Sequence, residues 1–168
     1  IEQIENLSRI ASEFSMFAKM PVAVKEVHSL NSILKSVWQL YRNEDAEVVL
    51  ELPDEDVQVY ADKGQLMRVF SNLVKNALQA IPDEKKGHVE IVLQKPDNEA
   101  LVQVRDNGCG IAEEEAERVF VPNFTTKGSG MGLGLAMSKS IITSAGGEIW
   151  FKSDVGKGTV FFVKLPLA

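Results

Sequence analysis

A chain of 168 residues with 45% hydrophobic content suffices for one globular domain with a proper core and leaves no room for a second. Its net charge of -6 and pI near 5.0 argue against general nucleic-acid or anionic-membrane binding, so any anion site must be built locally from backbone dipoles and a few cations. One cysteine, Cys109, excludes an intramolecular disulfide and a cysteine metal cluster.

Apolar side chains at Ile4, Leu7, Ala11, Phe14 and Ala18 alternate in steps of three and four, which predicts an amphipathic helix over residues 1–20 that ends at Pro21. Periodicity alone allows two settings for it: the tail of a helical bundle or coiled coil, or a helix folded back on its own domain. A second helix, capped by Ser29 or Asn31, runs to about Tyr41 with Ile33, Leu34, Val37, Trp38 and Leu40 on a broad apolar face. His28 falls in the loop before it. Residues 48–52 and 57–60 are rich in β-formers, and the Pro53-Asp54 turn between them suggests a hairpin. Residues 62–80 carry the clearest helical stripe, Leu66, Val69, Phe70, Leu73 and Ala77, with Asn72 and Asn76 one turn apart at its border.

Residues 89–93 and 100–104 read as a second hairpin about Pro96, Asp97 and Asn98, with His88 at its start. A helix over about 132–145 opens out of a glycine cluster and closes at Gly146-Gly147. Residues 148–151 and 159–165 then form a third hairpin around Gly156-Lys157-Gly158. This order predicts an α+β fold: a two-layer α/β sandwich whose mixed, mostly antiparallel sheet carries helices on one face. The apolar runs are too short to span a bilayer and no signal-peptide pattern opens the chain, so a cytoplasmic location is expected. Beginning at Ile1, it reads as a piece of a longer polypeptide whose other parts could be membrane-bound.

Six of the twelve glycines fall within residues 107–135, in clusters at either end of a polar loop. Glycine allows positive φ and bares backbone N–H groups, so the pattern suggests a phosphate-binding lid. The P-loop pattern GxxxxGK[ST] is absent, and GSGMGLG lacks the preceding strand that a dinucleotide fingerprint requires. Alone, such a run also suits a flexible linker.

The company of that run is specific. NLVKN at 72–76, DNGCGI at 106–111, FVPNFTTKGSGMGLGL at 120–135 and GKGT at 156–159 follow in fixed order. Together they resemble the N, G1, F, G2 and G3 boxes of the catalytic, ATP-binding domain of bacterial two-component sensor histidine kinases, in the GHKL ATPase superfamily. The match runs over about residues 62–166. SEFSMFAKMP at 12–21 also resembles the end of the dimerisation region in the nitrogen-regulation type of sensor kinase, which divides the chain into a helix end and linker over 1–21 and a catalytic domain over 22–168.

The resemblance implies Mg-ATP as ligand and transfer of the γ-phosphoryl group to a histidine on a separate dimerisation domain. It further implies a homodimeric full-length protein, a response regulator receiver domain as partner, and no nucleic acid. Asp106 ends an apolar strand, where its carboxylate can accept a hydrogen bond from an amino group such as adenine N6; an ordinary Asp-Asn-Gly turn is the other reading. Gly108 and Gly110 would let the backbone close over the purine. Thr159 is placed near Asp106 by the resemblance, which also makes Asn76 the Mg²⁺ ligand, a neutral donor beside a polyanion.

Where superfamily members that hydrolyse ATP carry a glutamate base, this chain has Asn72, which cannot accept a proton and so favours transfer to another acceptor. Backbone N–H groups of Gly130, Gly132, Leu133 and Gly134 would meet the phosphates. Lys127 is either a mobile phosphate cation or a solvated loop lysine. Many relatives have a basic residue where Gln79 stands. Phe120 and Phe124 read as lid anchors. Neither His28 nor His88 lies in phosphoacceptor context. Two rivals remain at this level: a GHKL ATPase that couples hydrolysis to conformational work, and a non-enzymatic nucleotide-sensing module.

Overall fold

The structure, a computed structural model, describes residues 2–122 and 133–168. In chain order its elements are α1 (Glu2–Ala18), β1 (Glu26–Ser29), α2 (Leu30–Tyr41), β2 (Glu47–Glu51), β3 (Gln58–Ala61), α3 (Lys63–Gln79), β4 (His88–Gln94), β5 (Glu99–Asp106), α4 (Glu113–Ala116), α5 (Gly134–Ser144), β6 (Glu148–Asp154) and β7 (Gly158–Pro166).

Five strands form one sheet in the order β2-β4-β5-β7-β6. β2 and β4 run parallel, and every other neighbouring pair is antiparallel. Strand side chains alternate between faces, and here one alternate set is buried: Val89, Ile91 and Leu93 on β4, Ala100, Val102 and Val104 on β5, Phe161, Val163 and Leu165 on β7. These form one core with Ile33, Leu34 and Val37 of α2, Leu66, Val69, Phe70 and Leu73 of α3, and Ile141 and Ile142 of α5. The expected two-layer sandwich is thus observed. On the other face Trp150 and Phe162 stack with ring centroids 5.2 Å apart.

The first expected hairpin does not form. β3 leaves β2 and pairs antiparallel with β1 in a separate two-stranded sheet, so His28 lies on a strand rather than in a loop. The cause is Asn31, whose Oδ1 accepts from Val57 N–H at 2.9 Å while its Nδ2 donates to Glu55 C=O at 3.1 Å. Leu30 N–H also donates to Val57 C=O at 2.8 Å. The start of α2 therefore captures the turn and carries the chain away from β2. Ser29, not Asn31, caps α2, accepting from Ser32 N–H at 3.1 Å. β2 then finds a parallel partner, β4, because the long connection through α3 returns the chain in the same direction.

α1 presents its apolar stripe to solvent, with Ile4 70% and Leu7 64% exposed, whereas Met20 beyond its end packs on the core. Among the described residues no helix is long and apolar enough to cross a membrane.

Candidate functional site

β5 delivers Asp106 to its C-terminal end, and the next five residues form a loop held from three sides. Asp106 Oδ1 accepts from Gly108 N–H at 2.9 Å and from Thr159 N–H, at the start of β7, at 3.3 Å. These two backbone donors fix the orientation of the carboxylate at the end of β5. Asn107 fastens the loop to β4: its Oδ1 accepts from His88 N–H at 2.8 Å and its Nδ2 donates to Lys86 C=O at 2.9 Å. Cys109 N–H donates to Ala80 C=O at 2.9 Å, at the end of α3.

The loop glycines meet the chain's own backbone. A Cβ on Gly108 would sit 2.5 Å from Ala80 O, and one on Gly110, at φ +78°, would sit 2.5 Å from Asp154 O. Gly158, at φ +134°, would bring a Cβ within 2.0 Å of Asp106 O. Gly156 N–H donates to Cys109 C=O at 2.8 Å. Bare backbone is thus what lets the β5–α4 loop, the end of α3 and the β6–β7 turn touch.

α3 forms the wall beside this floor. Its buried stripe faces the core, and Asn72 and Asn76 stand half-buried at the border, one turn apart. Gly134, at the start of α5, lies against Asn72: a Cβ there would be 2.2 Å from Asn72 Oδ1. Ser138 of α5 donates to Gly134 C=O at 2.8 Å and receives a long bond of 3.5 Å from Asn72 Nδ2. Leu133, the N-cap position of α5, is buried and makes no side-chain cap hydrogen bond to the first N–H groups of this helix.

Asp106, Gly108, Gly110 and Thr159 are therefore assembled at one place, and Asn72, Asn76, Leu133 and Gly134 along the adjoining wall. Lys127, Gly130, Gly132 and Phe124, with the stretch 123–132 of the expected lid, lie outside the described residues. Phe120 packs on Phe151 and Phe161, with centroids 6.0 and 6.3 Å away, as a hydrophobic anchor would.

Three residues were given no role by the motifs. Ala80 contributes a carbonyl, which no side-chain pattern announces. Asn107 was visible as part of Asp-Asn-Gly, but its bonds to β4 required the sheet. Ser153 sits half-buried opposite Thr159 in the β6–β7 register, and a hairpin drawn with its register from the GKG turn would have found it. Among the described residues no group of three His, Cys, Asp or Glu side chains could hold a metal. A hollow lined by Lys35, Trp38, Gln39, Leu50 and Leu52 lies by β2, at the far edge of the sheet from β6.

Residues 61–168 match the family described as "Histidine kinase-, DNA gyrase B-, and HSP90-like ATPase". Sporulation kinase E of Bacillus subtilis is 32% identical over 98% of this chain and 23% of its own length. Sporulation kinase C of the same organism is 34% identical, again over 98% of this chain and 39% of its own. The chain thus spans well under half of these curated relatives.

Among solved structures, the catalytic domain of histidine kinase ThkA superposes with a TM-score of 0.75 at 33% identity, covering 84% of this chain and 95% of that one. ThkA in complex with the response regulator TrrA superposes at 0.81 and 28% identity, over 99% of this chain and 49% of that one. Every described motif residue falls inside the matched span. The chain belongs to the histidine kinase-, DNA gyrase B- and HSP90-like ATPase family, as a catalytic ATP-binding domain of the kind found in bacterial sensor histidine kinases.

Proposed function

We propose that this domain binds Mg-ATP with the base at Asp106 and Thr159 and the phosphates toward α3 and the start of α5, and donates the γ-phosphoryl group to a histidine on a dimerisation domain. The observation that carries the reading is Asn72: an amide, packed against Gly134, stands on the wall between α3 and α5. An amide cannot deprotonate water, so the site favours an acceptor brought from outside.

Asp106 is held to accept from the base amino group, and the start of α5 offers N–H donors for anionic oxygen. Lys127, Gly130 and Gly132 complete the phosphate contacts in this reading. Asn76 is the metal ligand. Its neutral oxygen suits a site with no carboxylate cluster among the described residues, where Mg²⁺ takes water and phosphate oxygens as its other ligands. When bound, Mg²⁺ supplies charge neutralisation for the triphosphate; positioning by the chain does the rest.

Residues 1–21 would belong to the dimerisation helix and its linker, and the exposed stripe of Ile4, Leu7, Ile10 and Phe14 supports a homodimeric parent protein. ThkA's complex with a response regulator supports a receiver domain as downstream partner. The segment at 12–21 supports the nitrogen-regulation subgroup, and the parent protein would place this domain in the cytoplasm.

The test is incubation with γ-labelled ATP, alone and with a separate dimerisation domain that carries its histidine. Labelling of the added domain only, abolished by Asn76→Ala, is expected. Brisk phosphate release without acceptor would move the assignment to the hydrolase branch of the family.

A further inference from the structure

Ser153 lies outside every glycine motif, yet its hydroxyl is the junction between the loop after β5 and the start of β7. Its Oγ accepts from Ile111 N–H at 2.7 Å, stands 2.7 Å from Thr159 Oγ1 and 3.2 Å from Gly158 C=O. Thr159 is buried, and its own N–H goes to Asp106 Oδ1. A hydroxyl has one proton and two acceptor sites. All three capacities are used in one arrangement: Ser153 accepts from Ile111 N–H and from the Thr159 hydroxyl, and donates to Gly158 C=O.

We infer that Ser153 is a positioning residue for base selection, which draws the Thr159 proton to itself and leaves Thr159 Oγ1 an acceptor beside the Asp106 carboxylate. Two acceptors side by side favour a base that presents an amino group and disfavour one that presents a carbonyl in its place, because the carbonyl leaves buried acceptors unpaired. Ser153 touches no ligand in this scheme and acts through Thr159 and Ile111. The inference rests on the adenine reading of the Asp106 end.

Calorimetric titration of the whole chain with ATP and with inosine triphosphate, which has a carbonyl in place of the amino group, tests it. In Ser153→Ala the Thr159 proton is free to face the base, so the ratio of ATP to inosine triphosphate affinity should fall about tenfold. Ser153→Thr, which keeps the hydroxyl, should restore the parent ratio. Amide exchange of Ile111 should accelerate in Ser153→Ala, while that of Cys109, bonded to Ala80, should not; this readout needs no nucleotide. An unchanged ratio in Ser153→Ala, or one not restored by Ser153→Thr, would overturn the inference while leaving ATP binding intact. Failure of the parent chain to prefer ATP would instead remove the adenine reading, and the role of Ser153 with it.

Discussion

At the scale of single residues, the two glycines of the β6–β7 turn separate conformational need from steric need. Gly156 has φ +82° and open space within 4 Å of where a Cβ would stand, whereas Gly158 has φ +134° and Asp106 O only 2.0 Å from that position. Gly156→Ala should cost only the left-handed backbone penalty, about 1–2 kcal/mol. Gly158→Ala carries a backbone cost of about 1–3 kcal/mol and must also displace the carbonyl of Asp106. Urea midpoints at constant m-value measure the first effect, and ATP affinity separates the two: Gly156→Ala should bind as the parent does, and Gly158→Ala should bind far more weakly. Equal loss of binding in both would refute the close approach as the reason for glycine at 158.

Elements are fastened at their ends by few groups. Asp62 caps α3, accepting from Gln65 N–H at 3.0 Å, and its other oxygen accepts from Val24 N–H at 2.8 Å, so one carboxylate anchors both the helix and the segment after α1. These bonds, Gln65's first and Val24's second, hold its pKa below the ordinary carboxylate value of 3.8. A group with a depressed folded pKa contributes stability above its unfolded value and loses it as pH falls through the folded one. Asp62→Ala should therefore cost about 1 kcal/mol near neutrality, with the difference from the parent shrinking below pH 3.8.

His88 works in the opposite sense between β2 and β4. Its Nε2 is 3.0 Å from Glu90 and its Nδ1 2.9 Å from Glu47, and only an imidazolium has protons for both. Glu90 first and Glu47 second raise its pKa above the ordinary 6.5. The contribution is complete below that ordinary value and is lost as pH rises through the folded one. Stability of the parent relative to His88→Gln should decline as pH rises above 6.5, as followed by urea denaturation. A flat difference across that range would show that the pair of carboxylates adds nothing.

At the scale of the whole molecule, α1 stands apart from the catalytic layers. Ile4, Leu7, Ile10 and Phe14 are exposed, and the first residue beyond the helix that reaches the core is Met20. Deleting residues 2–18 removes little buried surface, so Tm should shift by less than about 3 °C and ATP affinity should hold. A larger drop in Tm, measured by calorimetry at equal protein concentration, would mean that the helix is part of the domain's core.

Much of this molecule could be read from the chain because its signals are local. The stripe of Leu66, Val69, Phe70, Leu73 and Ala77 specifies α3 by period alone, the two later hairpins follow from alternation and turn residues, and the glycine boxes name the family because backbone approach demands glycine whatever surrounds it. What had to wait for the tertiary structure was partnership. Nothing local in residues 47–61 says that Asn31 will seize Val57 and send β3 to β1 instead of β2, since that choice depends on hydrogen bonds across 26 positions of sequence. The same holds at the site: Asp106 meets Thr159 across 53 positions, and Ile111 meets Ser153 across 42. Residue type announces which groups can recognise a nucleotide, but the orientation of each hydroxyl and carboxylate is set by donors that arrive from other strands, and only the closed sheet brings those into reach.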